Sequence, residues 1–160
     1  RYIQCLEPDD QVAAHFYEQV LWALETKPQL DAVATDAIKI DELNRCLSYY
    51  RAGQFKSMAE FRLESLRYNP VLGSSLVVKR EVYEALKGRR PEFEICEDYD
   101  FILRLGEQFT VQILHEPLIH YRIATRQATF QKDRGVALEK RVLADLLNRQ
   151  PLKYFFACGC

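Results

Sequence analysis

The chain has 160 residues, 48% of them hydrophobic and 28% charged, which bounds it to one compact domain. A formal net charge of −1 excludes the basic footprint of a nucleic-acid binder and a polybasic membrane anchor. No apolar run is long enough to span a bilayer, and no secretory signal is visible.

Tyr2 to Leu6 reads as a strand, with Cys5 in the core. A helix fits Gln11 to about Glu25, because Val12, Phe16 and Val20 recur at helical spacing and Tyr17, Leu21 and Leu24 widen that face. Asp10 is its expected N-cap, and Pro28 ends it. "DAVATDAIKID" alternates as a strand from about Ala32 to Ile40. Residues 42–54 carry no clear period, and Gly53 precedes a helix in "FKSMAEFRLESLR". "NPVLGSSLVVKREVYEALKG" reads as a loop, a strand from Ser75 to Lys79 and a short helix closed by Gly88. "RRPEFEICEDYDFILRLGE" leads into a helix near Glu97, with Phe101, Ile102 and Leu105 on its buried side and Asp100 solvated. Two strands follow, "TVQILHE" and "LIHYRI", split by Pro117. A last helix runs from about Phe130 to Asn148, its stripe made of Val142, Leu143, Leu146 and Leu147. Strands alternating with helices predict an α/β domain over residues 1–150, with an apolar tail over 151–160.

Five cysteines, at 5, 46, 96, 158 and 160, form no CxxC pair and no zinc pattern. Reduced thiols in a cytoplasmic protein are the expectation. The chain opens on Arg1 rather than Met, which suggests a trimmed N-terminus or part of a longer polypeptide.

Two acidic clusters carry possible chemistry. "EPDD" (residues 7–10) closes the first strand. It suits a turn and helix cap. Taken alone it favours that role, but it also suits a hard divalent cation, since open α/β sheets place ligands at the carboxyl ends of their strands. "EDYD" (residues 97–100) opens a helix, where the dipole favours acidic residues. A carboxylate fixed there can also serve as a general base.

The order of features, a strand ending in a D-x-D-like cluster, then "SSLVVKREVYEAL", "EDYDFILRL" and "EPLIHYRI", resembles the inverting glycosyltransferases of family 2, over residues 1 to about 130. The resemblance implies a partial GT-A-like mixed sheet flanked by helices, lacking the N-terminal half that holds the nucleotide. It implies transfer of a sugar from a nucleotide-sugar donor to a hydroxyl on a carbohydrate or lipid-linked acceptor, assisted by Mg²⁺ or Mn²⁺. Carried over residue by residue, Asp9 holds the metal and Asp10 ligates or caps. Glu7, standing where the family's first Asp is usual, approaches ribose or metal. Asp98 is the base, with Glu97 beside it. Cell-surface polysaccharide synthesis is common in the family, so the full-length protein is expected in the cytoplasm or peripheral to the membrane.

The chain departs from the family at Ala124, where many relatives carry His. His120 and Arg122 share a strand face with Ala124; His120 suits replacing the family's His or a structural role, and Arg122, Arg126 and Gln127 suit phosphate contacts if the following loop folds over the site. Ser74 and Ser75 suit sugar contacts or strand initiation, and Lys79 and Arg80 suit diphosphate steering or plain surface charge. Trp22, Tyr49 and Tyr50 suit stacking on a sugar or ordinary packing, and nothing near His15 makes it catalytic. A non-catalytic module is the competing reading, favoured by Glu7, Ala124 and the missing half. A hydrolase is disfavoured, because no GxSxG motif or Cys/His pairing stands out. An exposed sheet edge invites pairing with another chain.

Overall fold

The computed structural model describes residues 1–123 and 132–149. Six strands form one mixed sheet: β1 (Tyr2–Gln4), β2 (Gln11–Val12), β3 (Ala32–Ile40), β4 (Cys46–Tyr50), β5 (Val77–Lys79) and β6 (Val111–Arg122). Five helices accompany them: α1 (Phe16–Thr26), α2 (Met58–Ser65), α3 (Arg80–Ala85), α4 (Glu97–Gln108) and α5 (Lys132–Arg149). The sheet order is β1-β5-β3-β6-β2, with β4 paired to β3 off this path. β3 and β6 are parallel, while β5 is antiparallel to both β3 and β1. β1, β3 and β6 therefore run the same way, and their carboxyl ends share one side of the molecule.

β3 lies at the centre and is buried along nearly its whole length. Its alternate side chains feed two cores. Ala32 and Ala34 pack with Phe61 of α2 and Phe101, Ile102 and Leu105 of α4. Val33 and Ala37 pack with Phe16, Val20 and Leu24 of α1. Helices thus cover both faces, which explains why the strand reads as an almost continuous apolar run. A third cluster joins α4 to α5 through Tyr99, Leu103, Leu138, Val142 and Leu146. The α5 stripe differs from expectation at Leu147, which is 41% exposed, while Leu138 is buried.

The first expected helix is shorter than its apolar pattern. Gln11 and Val12 pair with His120 and Ile119 of β6, and α1 begins only at Phe16 with His15 at its N-cap. Asp10 is therefore not the cap; it lies on the other side of β2. The connection from β1 to β2 (residues 5–10) joins strands at opposite ends of the sheet order, so the acidic turn crosses the sheet end.

The two strands expected around Pro117 are one continuous β6. Proline is tolerated because the β3–β6 register shifts on both sides of Asp36, the residue opposite Pro117. The patternless segment after β3 supplies β4, a hairpin partner held by its pairing to Ala37–Ile40.

Asp100, expected in solvent, is fully buried. Its Oδ2 accepts from Arg90 Nε at 3.0 Å and from Arg104 Nη2 at 2.7 Å, and its Oδ1 accepts from Arg90 Nη2. Arg90 also donates to Asp145 of α5 at 2.7 Å. The sequence places Asp100 one turn from Arg104, but it gives no sign that Arg90 closes over it, and that partner makes burial of the carboxylate tolerable. Among the described residues, no helix is long and apolar enough to cross a membrane.

Candidate functional site

The acidic turn is folded tightly onto a 3₁₀ turn at Gly73–Ser75, just before β5. Gln4 Nε2 donates to the Ser74 carbonyl at 2.8 Å, and the Glu7 N–H donates to Ser74 Oγ at 3.2 Å. The Asp10 N–H closes the turn on the Glu7 carbonyl at 3.1 Å. Asp10 is buried, and its Oδ1 accepts from the Arg122 N–H at 2.9 Å. Its Oδ2 is buried without a hydrogen-bond partner. Burial raises the Asp10 pKa; the nearby Ser74 hydroxyl works the other way without reaching hydrogen-bond geometry on Oδ2.

The start of α4 approaches the same 3₁₀ turn. Asp98 Oδ1 accepts from the Tyr99 N–H at 2.7 Å, and Oδ2 accepts from Asn69 Nδ2 at 3.2 Å. A Cβ on Gly73 would stand 3.1 Å from both Cβ and Oδ2 of Asp98, so any larger residue there would push against Asp98 by a few tenths of an ångström. Arg89 ties the two acidic clusters together. Its Nη1 donates to Glu7 Oε1 at 3.2 Å and Glu97 Oε1 at 3.4 Å, and its Nη2 to the Cys5 carbonyl at 3.4 Å. Burial pushes the Asp98 carboxyl up to about 6, against the pull of Arg89 and the Tyr99 N–H, while Glu97 and Glu7 add to the rise. Tyr50 is pushed up to about 12, by burial first and then by the charge of Asp98.

Glu7, Asp10, Glu97 and Asp98 are thus gathered around Ser74 and Arg89. Asp9 and Arg122 meet on the flank of this group nearer β2, where the Asp9 carbonyl accepts from Arg122 Nε at 2.9 Å. The rest of the Arg122 guanidinium reaches the Asp41 carbonyl and Asn44 Oδ1, both at 2.7 Å, pinning the β3–β4 turn to the acidic turn. His120 stands opposite Gln11 in the β2–β6 ladder. Ser74 and Ser75 are both buried; Ser75 Oγ accepts from the Thr35 N–H at 3.3 Å, just past the last β3–β5 pair. Lys79 donates to the Pro28 carbonyl at 2.9 Å. Ala124, Arg126, Gln127 and the tail over 151–160 lie outside the described residues.

Sequence reasoning passed over Arg89 and Asn69. Arg89 opens a stretch that reads only as a polar loop, and only the fold brings it onto a residue 82 positions away. It also passed over Asp36, for which there was a signal: a lone carboxylate inside the apolar run "AVATDAI" must be paired if buried.

Among the described residues, no group of three or more His, Cys, Asp or Glu side chains is arranged to hold a metal ion. Mg²⁺ needs only one or two protein carboxylates when a substrate's phosphates complete its shell. The orphaned Asp10 Oδ2 is an acceptor in want of a donor or a cation, and it fits that sparser mode. What fold and site define together is an α/β protein with an ion-paired acidic cluster at the carboxyl end of its parallel strands. No protein-family model matches the chain, and a search of curated proteins finds no match.

Proposed function

We propose that this chain is a GT-A-type glycosyltransferase domain, or a piece of one, that passes a sugar from a nucleotide donor to a hydroxyl acceptor with inversion at the anomeric carbon. One observation carries this reading: the turn after β1 and the start of α4, distant in sequence, share the guanidinium of Arg89. In the reaction the acceptor oxygen bonds to the anomeric carbon, the bond from that carbon to the diphosphate oxygen breaks, and the acceptor proton passes to Asp98. A carboxyl titrating at about 6 is ionised at neutral pH yet more basic than a solvated carboxylate, which suits this role. Asn69 orients its Oδ2. Asp9 and Asp10 would hold Mg²⁺ or Mn²⁺, which when bound neutralises charge on the departing diphosphate. Glu7 faces the ribose or the ion.

The test is sugar transfer or donor hydrolysis with a panel of UDP-, GDP- and TDP-sugars, using the natural polypeptide that contains this chain. Activity should fall at least about a hundredfold in Asp98→Ala, the usual scale for loss of a general base. Activity that survives both Asp9→Ala and Asp98→Ala overturns the assignment.

One observation favours a second reading, a non-catalytic binding module. Arg89 already pairs with Glu7 and Glu97, which leaves less uncompensated negative charge in the cluster for a metal ion. Calorimetry with Mn²⁺ and UDP separates the two. Binding of both supports the enzyme, and binding of neither supports the module.

A further inference from the structure

A second polar centre is built on the middle of β3. Asp36 is fully buried, and its Oδ1 accepts from the Ala52 N–H at 2.8 Å and pairs with His115 Nδ1 at 3.3 Å. Its Oδ2 accepts from the Tyr49 hydroxyl. The β3–β6 register passes from Thr35–Leu114 to Asp36–Pro117, so His115 and Glu116 bulge out of the ladder. Bulges re-aim side chains, and this one turns His115 onto the buried carboxylate. With Nδ1 donating to Asp36, the ring's other nitrogen, Nε2, is left as an acceptor on an exposed residue.

His115 lines a cleft of ≈ 260 Å³ between residues 53–58 and 110–115. The polar groups on its wall are Lys56, Ser57, Thr110, Gln112 and His115, and no lining residue is acidic. The contacts these groups already make leave donors to spare. Gln112 Oε1 is taken by Lys27 Nζ at 3.1 Å, which leaves its amide N–H groups. Ser57 Oγ accepts from the Glu60 N–H at 3.2 Å, which leaves its O–H. Glu60 itself is turned back onto the Lys56 N–H at 2.6 Å. Phe55 and Met58 supply an apolar wall beside this set.

We propose that this cleft binds a small phosphate monoester, with a phosphate oxygen on the Lys56 ammonium, its P–OH donating to His115 Nε2 and its organic part against Phe55. A lining that offers an ammonium, a hydroxyl and amide N–H groups and holds no acidic side chain suits an oxyanion. The buried Asp36 holds the imidazole rigid and so lowers the ordering cost of binding. The inference does not depend on sugar transfer.

The test is a backbone-amide NMR titration of the 160-residue chain with inorganic phosphate and with phenyl phosphate. Saturable shifts are expected at Lys56, Ser57, Gln112 and His115, with phenyl phosphate binding more tightly. Lys56→Gln and His115→Gln should each weaken binding about tenfold, as expected for loss of a charge-assisted hydrogen bond. Lys56 is exposed, so its variant decides the matter if His115→Gln does not fold. Absence of saturable shifts, shifts confined to the Arg89–Asp98 cluster, or unchanged binding in Lys56→Gln each overturns the proposal. The bulge would then be only a structural knot.

Discussion

Arg89 Nη1 lies 3.2 Å from Oε1 of Glu7, although 82 residues separate them, and the same atom lies 3.4 Å from Oε1 of Glu97. One largely buried guanidinium therefore fastens the turn after the first strand to the start of α4. Replacing it with methionine keeps most of the volume and removes the charge. Arg89→Met should cost about 1–3 kcal/mol in urea unfolding, because charge-assisted hydrogen bonds are lost on a partly buried site. It should also carry the Asp98 titration higher, since Arg89 is the strongest group holding it down. An NMR titration that places Asp98 at or below its native value contradicts this.

Asp98 sets a pH dependence whose sign follows from the direction in which folding moves its proton affinity. Its carboxyl rises from 3.8 to about 6 on folding, chiefly by burial. The folded chain therefore holds that proton more tightly than the unfolded chain. The resulting stability is fully present below about pH 4 and is lost as pH rises through about 6. Asp98→Asn removes this loss. The variant should gain on the wild type by about 2 kcal/mol between pH 4 and pH 7, since each tenfold change in proton affinity is worth about 1.4 kcal/mol. Urea midpoints at the two pH values measure it, and parallel curves for the two proteins would contradict it.

Asp100 behaves differently, because its charge is fully compensated. Arg90 and Arg104 both donate to it inside the protein. Asp100→Ala leaves two guanidinium groups facing an apolar side chain and should cost about 3–5 kcal/mol in chemical denaturation. A loss below about 1 kcal/mol would mean that water or Asp145 replaces the carboxylate at once.

Gly73 tests how tightly the site is packed. A Cβ there meets Asp98 at 3.1 Å on one side and Arg89 Nη2 at 3.2 Å on the other. Gly73→Ala should cost about 1 kcal/mol, a mild overpacking. It should shift the amide resonances of Asp98 and Tyr99 while leaving those of α5 unchanged.

How far the sequence could be read depends on where each partner lay. The bounds of β3 were legible from its alternation, Ala32 to Ile40, although the strand is buried on both faces rather than one. The start of α4 was legible for the same kind of local reason, an acidic turn followed by a helical apolar stripe. Gln11 and Val12 were misread as helix because their apolar spacing continues smoothly into α1, while the strand that claims them lies more than a hundred residues later. Pro117 looked like a break because only the bulge opposite Asp36 makes it acceptable in a ladder. In the site, the acidic clusters were visible as composition. Arg89 and Asn69, which turn two clusters into one, were invisible because neither is unusual in its own neighbourhood.

The crossing made by residues 5–10 has a consequence for access. A segment stitched at one end to β5 and at the other to β6 cannot swing aside like a hinged flap. Lifting it off the buried Asp10 means unzipping one of the stitches, and the weaker is the two-residue pairing of Gln11 and Val12. Exposure of the buried Asp10 carboxylate is then coupled to brief peeling of that short strand, at a rate that deuterium uptake at the Val12 amide would report.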